Sequence, residues 1–246
     1  MNNSTIAQTA LLATALVATI PQVAADEQQA LKFSGDVTLT SDLAIRGMSY
    51  TNEEPALHGS FKVEHQTGVY VRTWATNVNL LEGDTVKPED RANLLVGLYL
   101  GYQGNFSDIS YDIQAVRYLF PGADKDLNYD LTEYTLDLDY SLQGIDLGVL
   151  YTYSPDFFLK SGKAHYYEFS ASHTFANDLG IGGIVGRQTV SDNETVGFDD
   201  YNYYGMWLTY PIGKFDVSLY YNNTDLDNAD DINADERVYF TLAASF

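Results

Sequence analysis

The sequence predicts an all-β fold, a closed antiparallel transmembrane β-barrel of about twelve strands with short periplasmic turns and longer extracellular loops. Three observations predict it. Apolar and polar residues alternate over segments of about ten residues, short turn-like junctions alternate with longer polar stretches, and the chain closes on an alternating segment that ends at Phe246. Segments of this length can cross a membrane at a tilt.

The alternation is clearest in residues 130–142. Leu136, Leu138 and Tyr140 share one face there, whereas Asp137 and Asp139 share the other. The pattern recurs in three further segments, 145–154, 215–222 and 237–246. Because successive side chains of a strand point to opposite faces, each segment has an apolar face and a polar face. A soluble β-sandwich would show the same alternation with its apolar face inward, so the connections must distinguish the two folds.

The connections alternate in length. Short junctions are predicted near Thr67-Gly68, Gly104-Asn105, Gln143-Gly144, Asn177-Asp178 and Ile212-Gly213. Longer polar stretches are predicted at about 50–56, 80–91, 120–129, 155–163, 190–200 and 225–235. These turns and loops join twelve strands, and ten or fourteen strands are the alternatives. Such asymmetry is typical of bacterial outer-membrane barrels, and closure removes exposed strand edges.

Residues 1–25 predict a cleaved signal peptide, which leaves residues 26–246 as a single barrel domain. An apolar run from about 10 to 20 is followed by Val23-Ala24-Ala25, with small residues at positions −3 and −1, so we expect cleavage after Ala25. The segment lacks Lys and Arg, and an uncleaved anchor is the alternative, although the run is short for a spanning helix. We expect both termini of the mature chain in the periplasm.

The composition excludes several classes of function. The formal charge is −21, which argues against a nucleic-acid partner because phosphate-binding surfaces need Lys and Arg. The chain has no Cys, so it has neither disulfides nor thiolate metal ligands. Its four His residues show no metal-ligand spacing, and no Gly-rich phosphate loop occurs. We therefore predict no cofactor and no metal site.

Several sequence blocks carry a resemblance to a known family. They are Ser41-Asp42, Arg46-Gly47, Pro55-Ala56-Leu57, Gly68-Val69-Tyr70, residues 117–122, residues 153–158, residues 161–164 and the terminal Ser245-Phe246. Together they resemble the TorF-type family of proteobacterial outer-membrane porins, of the Gcw_chp type. The resemblance implies a barrel with a transport role and a poorly defined substrate. Phe246 resembles the terminal insertion signal that the barrel-assembly machinery recognises.

The chain departs from this family pattern at three positions. Leu43 stands where an aromatic residue is expected, Arg72 stands where a small residue is common, and Thr76 replaces Ser. These departures leave the implied fold intact. They weaken any transfer of detail about the residues that line a pore.

Charged residues on the polar faces form the candidate site. Asp42 and Arg46 lie four residues apart on the first predicted strand and so share a face, which points inward because a charge in hydrocarbon is costly. We expect the pair either to form part of a constriction that filters ions or to belong to a salt-bridged network that fills the lumen and fixes strand register. The other lumen candidates are Lys62, Glu64, Arg72, Asp112, Gln114, Glu133, Asp137, Asp139, Asp146 and Glu168.

Acidic groups outnumber basic ones in this set, so one hypothesis is a negative lumen that favours cations. The alternative is a general acidity that serves solubility and loop repulsion. Twelve strands enclose a lumen between the filled interior of eight and the open channel of sixteen. Inward Tyr99, Trp207, Tyr220 and Tyr239 would narrow it further. The expected function is passive diffusion of small polar solutes or ions across the outer membrane.

Two other classes of function stay open. The first is a non-conducting structural or surface-interaction barrel, whose acidic loops near 82–90 and 225–236 contact lipopolysaccharide or a partner. Residues 231–235 weakly resemble the start of a calcium-binding loop, but the Gly that such a loop requires is absent. The second is a phospholipase-type barrel enzyme, in which His165, or His173 beside Ser170 and Ser172, would form a Ser–His pair. No motif orients such a nucleophile.

Overall fold

Twelve antiparallel strands close into one barrel in the computed structural model, which describes residues 30–82 and 86–246. The barrel strands are, in chain order, β1 (Leu31–Thr40), β4 (Ala56–His65), β5 (Val69–Asn77), β6 (Leu94–Phe106), β7 (Ile109–Leu119), β8 (Leu131–Leu142), β9 (Ile145–Ser154), β10 (Ala164–Thr174), β11 (Gly180–Val190), β12 (Tyr201–Ile212), β13 (Phe215–Thr224) and β14 (Arg237–Ser245). Two further short strands, β2 (Ala44–Ile45) and β3 (Met48–Ser49), pair only with each other. β1 pairs with both β4 and β14, which closes the ring. The predicted twelve-stranded barrel is confirmed.

Helical turns of three or four residues occur in the long connections. They span Pro88–Asp90, Lys125–Leu127, Phe158–Lys160, Asn193–Val196 and Ala229–Ile232. No helix in the described ranges is long and apolar enough to cross a membrane. The predicted signal peptide, residues 1–25, lies outside the described residues.

The short connections all lie at one end of the barrel. Gln143 and Gly144 form a two-residue turn with positive φ at both positions (52° and 86°), which matches the right-handed twist of the flanking strands. The turn predicted at Gly104-Asn105 is wrong, because β6 continues to Phe106 and the chain reverses at residues 107–108. Gly104 instead leaves room for the ring of the cross-strand residue Tyr111.

The long connections lie at the opposite end and span residues 41–55, 78–93, 120–130, 155–163, 191–200 and 225–236. The first begins earlier than predicted. β1 ends at Thr40, so the expected strand through Asp42 and Arg46 is wrong. Residues 41–55 contain the small β2–β3 hairpin, whose tip residues Arg46 and Gly47 have φ of 52° and 86°. The whole connection, residues 41–55, is called the inward hairpin below.

The barrel carries its apolar side chains on the outside. On β1, Val37 is 45% exposed whereas its neighbour Thr38 is 0% exposed. On β14, Phe240 is 54% exposed and Thr241 is 5% exposed. A soluble sandwich would show the reverse arrangement. The outer wall is therefore suited to an apolar surrounding, and the interior holds polar and charged side chains together with buried apolar clusters.

Aromatic rings on the inner wall lie against glycines of neighbouring strands. A Cβ atom on Gly101 would overlap the ring of Tyr70, and one on Gly182 would overlap the ring of Trp207. A Cβ on Gly186 would lie 2.6 Å from the hydroxyl of Tyr166. Glycine in a strand often permits such close approach. The rings therefore occupy space beside the wall that a larger residue would fill.

Candidate functional site

The inward hairpin crosses the interior at the loop end of the barrel. The Arg46 guanidinium donates from Nη1 and Nη2 to the two carboxylate oxygens of Glu133 on β8, both at 2.9 Å. Nη1 also lies 3.2 Å from Oε1 of Gln188 on β11. In the ring of strands, β8 lies nearly opposite β1, from which the hairpin departs. The bidentate contact therefore fixes the hairpin tip to the far wall.

Aromatic side chains hold the same tip from the adjacent strands. The guanidinium carbon of Arg46 lies 4.5 Å from the ring centroid of Tyr166 on β10. The Tyr201 hydroxyl, on β12, donates to the Arg46 carbonyl at 3.0 Å. The side chain of Arg46 is 15% exposed. Burial alone would lower the pKa of Arg46, but the Glu133 carboxylate raises the pKa above its ordinary value, so the guanidinium stays charged.

A second ion pair secures the base of the inward hairpin. Asp42 accepts hydrogen bonds from the Ser49 and Thr51 hydroxyls at 2.5 and 3.0 Å. Its other carboxylate oxygen accepts from Nη1 of Arg237, the first residue of β14, at 3.0 Å. Asp42 and Arg237 are 5% and 8% exposed. The expected Asp42–Arg46 pairing on one strand face is thus replaced by two separate pairs, because the chain turns away from the barrel wall after Thr40.

The hairpin also packs against an apolar cluster at the loop end. Leu43 belongs to this cluster together with Trp74 and Phe157, and Tyr50 packs against it. Burial raises the pKa of Tyr50 to about 12, so its hydroxyl is neutral at pH 7. Polar pairs at the tip and base and apolar contacts between them therefore hold the hairpin in place.

Carboxylates line one continuous part of the inner wall. Asp112 lies on β7, Asp137 and Asp139 on β8, Asp146 on β9 and Glu168 on β10, all at inward positions of their strands. These five residues are called the acidic wall. No Lys or Arg occupies an inward position on the same four strands, all of which are described in full. The acidic wall lies nearer than Glu133 to the barrel end with the short turns. It therefore lies between the inward hairpin and that end.

The predicted cationic residues of the lumen, Lys62 and Arg72, lie on β4 and β5. Lys62 on β4 lies 3.3 Å from Glu64 and 2.5 Å from Oε1 of Gln103. Lys62 and Arg72 also sit over the rings of Tyr70 and Tyr99, at 4.2 and 5.2 Å from the centroids. The interior therefore has one side with cationic side chains, which contact neighbouring residues, and another side with carboxylates.

One bridge joins these two sides near β7. The hydroxyl of Tyr70 donates to Asp112 at 2.8 Å and lies 3.1 Å from Oε1 of Gln114.

The aromatic residues expected to narrow the lumen are also at inward positions. The rings of Tyr220 and Tyr239 stack at 5.0 Å, and Tyr99 is 8% exposed.

The partners of the inward hairpin are not among the predicted site residues. They are Arg237, Gln188, Tyr166 and Tyr201. The alternation places each of them on a polar face, so their inward position was available from the sequence. Their contact with the hairpin was not, because it depends on how residues 41–55 leave the wall.

Phe246 ends the chain against β1. Its N–H donates to the Gly35 carbonyl at 2.9 Å and its carbonyl accepts from the Gly35 N–H at 2.8 Å. The ring lies where a side chain on Gly35 would stand. The last residue thus contributes to the β1–β14 seam of the barrel.

The histidines are not arranged as the enzyme alternative required. His165 and His173 occupy outward positions of β10, whereas Ser170 and Ser172 occupy inward positions of the same strand. The Nδ1 atoms of these histidines lie 2.8 Å from the Tyr151 hydroxyl and 2.7 Å from the Gly144 carbonyl. The described residues contain no group of three or more His, Cys, Asp or Glu side chains that could hold a metal ion.

Comparison with known proteins supports the fold. Residues 24–246 match the family described as "Bacterial protein of unknown function (Gcw_chp)". The structure is similar to the KdgM porin, also solved in complex with disordered oligogalacturonate, at a TM-score of 0.57 and 9% identity over 87% of this chain and 98% of that chain. It is also similar to the NanC porin, at a TM-score of 0.53 and 12% identity over 87% of this chain and 99% of that chain. No curated protein matches the sequence.

Proposed function

Because this chain belongs to the Gcw_chp family of bacterial proteins and folds as a closed twelve-strand barrel, we propose that it is a porin-like channel for passive diffusion of small polar solutes or ions. The observation that carries the proposal is the distribution of side chains: large apolar side chains are exposed on the outer wall, and the charged side chains of the strands are mostly buried or half-buried inside. An apolar outer band and a polar interior are what a transmembrane barrel with an aqueous path requires. The proposed location is the outer membrane of a Gram-negative cell.

The proposed topology follows from the lengths of the connections. Residues 1–25 would direct export and be removed, and residues 26–246 would form the barrel. The short turns and both ends of the mature chain would face the periplasm, and the longer loops would face the cell exterior. Phe246 would serve the barrel-assembly machinery as the insertion signal.

The inward hairpin is the proposed constriction. Its tip is anchored on the far wall by the Arg46–Glu133 pair, and its base by the Asp42–Arg237 pair. A peptide segment held across a twelve-stranded lumen leaves room only for small solutes. Asp42 and Arg46 were expected to form either a constriction or a salt-bridged network. In this proposal both apply, because the salt bridges position the segment that narrows the path.

The acidic wall supports a preference for cations. Its five carboxylates have no inward Lys or Arg on β7–β10, so an ion that passes the hairpin meets a wall on which carboxylates predominate. The KdgM porin was solved with oligogalacturonate, whose carboxylates such a wall would repel. We therefore propose small cations or uncharged polar solutes for this chain.

The test is recording of purified full-length protein in planar bilayers under a gradient of potassium chloride. We expect discrete conductance steps and a reversal potential of the sign that cation preference gives. The double change Asp137→Asn and Asp139→Asn should reduce the cation-to-anion permeability ratio severalfold, since one charge about 8 Å from an ion contributes about 0.5 kcal/mol even in water.

The matched control is the double change Asp108→Asn and Asp178→Asn, which removes the same charge from exposed turns outside the lumen. Its permeability ratio should stay near that of the unchanged protein. Anion preference, or an equal effect of both double variants, would contradict the proposed role of the acidic wall. Well-folded protein that carries no current would instead support a non-conducting structural or surface-interaction barrel.

A further inference from the structure

A cavity of about 690 Å³, lined by charged and apolar residues, opens on the outside of the barrel at its loop end. Its floor is formed by outward residues of β7 and β8, including Arg117 and Thr132, and its rim by the connections 120–130 and 155–163. Three cationic side chains line it: Arg117, Lys125 and Lys160. It is called the rim pocket below. It is separate from the lumen, because Arg117 and Thr132 point away from the barrel axis.

Two of these cations have no counter-ion in the described part of the chain. Neither Lys125 nor Lys160 has a carboxylate within 4.0 Å of its ammonium group. Of the pocket's aspartates, Asp130 pairs with Arg117 at 3.6 Å and accepts from the Phe120 N–H at 2.9 Å. Asp124 caps the helical turn at 125–127. Asp156, the third aspartate of the pocket, is exposed and has no ion-pair partner among the described residues. Lys125 and Lys160 are both exposed and unpaired in the same ranges, so an external anion can reach two ammonium groups.

The two loops that carry these lysines are fixed to each other. The Leu159 N–H donates to the Asn128 carbonyl at 3.0 Å, and the rings of Tyr129 and Phe158 stack at 4.5 Å. Leu159 and Lys160 both adopt positive φ, 61° and 59°. Left-handed backbone at two consecutive non-Gly residues is unusual and persists where surrounding contacts hold it. Lys160 is thus presented from a braced loop.

An apolar groove of about 640 Å³ lies next to the rim pocket on the same two strands. Its centre is Ala115, paired with Tyr134, and larger outward residues such as Leu100, Ile113 and Leu136 flank it. The pair Arg117–Thr132 is two residues closer to the loops on the same face. This step is about 7 Å along the strand, so the groove continues the pocket toward the centre of the membrane.

We propose that the rim pocket and this groove together bind one molecule of lipopolysaccharide, with a lipid phosphate at Lys125, Lys160 and Arg117 and an acyl chain in the groove at Ala115. Phosphate oxygens suit ammonium and guanidinium donors, and an acyl chain gains from apolar burial. The outer-leaflet lipid is favoured because the cations lie at the loop end, an orientation that rests on the proposed outer-membrane topology. The remaining residues of the outer wall would contact lipid without selecting it.

The test is native mass spectrometry of delipidated full-length protein titrated with short-chain lipopolysaccharide, its dephosphorylated form, or phosphatidylglycerol. We expect one lipopolysaccharide molecule per barrel and weaker binding of the other two lipids. The double change Lys125→Glu and Lys160→Glu should weaken lipopolysaccharide binding at least about tenfold. The control Lys87→Glu and Lys214→Glu makes the same charge change on other connections and should bind as the unchanged protein does.

A second variant tests the apolar half of the site. Ala115→Trp fills the groove from the lipid-facing side and should also weaken lipopolysaccharide binding, while the heat-dependent gel shift of a folded barrel is retained. Equal binding by the lysine variant and its control would overturn the proposal. Unchanged binding by Ala115→Trp, or phosphatidylglycerol bound as tightly as lipopolysaccharide, would overturn it as well.

Recording the same variants in bilayers separates this proposal from that of the channel. Conductance without selective lipopolysaccharide binding overturns the lipid site alone. Selective binding by a barrel that carries no current overturns the channel alone.

Discussion

Replacing Arg46 with alanine is expected to raise single-channel conductance by about twofold or more, because the inward hairpin loses its anchor on the far wall. The lost contact is a bidentate, charge-assisted pair with Glu133, whose two N–O distances are 2.9 Å. The hydrogen bond to Gln188 and the stacking on Tyr166 are lost with it. Current fluctuations should also increase, since a released tip can move in and out of the path.

Three variants sharpen this experiment. Glu133→Gln removes the same charge pair from the other side and should act in the same direction. Arg46→Lys keeps the charge but not the bidentate geometry and should give an intermediate conductance. Arg187→Ala removes an exposed, outward-facing arginine of β11 and should change nothing. If Arg46→Ala and Arg187→Ala both conduct like the unchanged protein, the hairpin does not limit the current.

Replacing Arg237 with alanine is expected to lower the free energy of unfolding by about 3–5 kcal/mol, because it leaves the buried Asp42 carboxylate without its cation. The side chains of Arg237 and Asp42 are 6% and 7% exposed and 3.0 Å apart. Unfolding in urea, followed by tryptophan fluorescence in detergent micelles, measures the change.

The contrast with an exposed ion pair makes this prediction specific. Arg117 and Asp130 are 3.6 Å apart with side chains 47% and 46% exposed, so Arg117→Ala should cost about 1 kcal/mol or less. The double variant Asp42→Asn and Arg237→Ala should recover part of the loss, because no unpaired charge then remains buried. A cost for Arg237→Ala as small as that for Arg117→Ala would contradict the assigned role of the pair.

The barrel was predictable because its rule is local. In β8, each of Leu136, Leu138 and Tyr140 points outward and each of Asp137 and Asp139 points inward, as period-two alternation requires. The exception in the turns has an equally local cause. Gly104-Asn105 has turn composition, but the glycine serves the Tyr111 ring across the strand pair, and this packing partner was not visible in the sequence.

The site was predictable only where it lies on strands. Glu64, Asp112, Glu133, Asp137 and Asp139 take inward positions that follow from alternation alone. Asp42 and Arg46 lie in a connection, so extrapolating the β1 alternation to them gave the wrong partners. The observed partners, Arg237 and Glu133, are 195 and 87 residues away in sequence. Only closure of the ring brings such residues together.

The aromatic rings that rest on inner-wall glycines have a consequence for the calibre of the barrel. Since Gly101 makes room for Tyr70 and Gly182 makes room for Trp207, a side chain at either glycine would push the ring toward the axis. The bore is thus adjustable by single substitutions that alter neither strand number nor charge. An alanine at Gly101 or Gly182 would therefore narrow the interior of this barrel at one level and leave the pairing of all twelve strands in place.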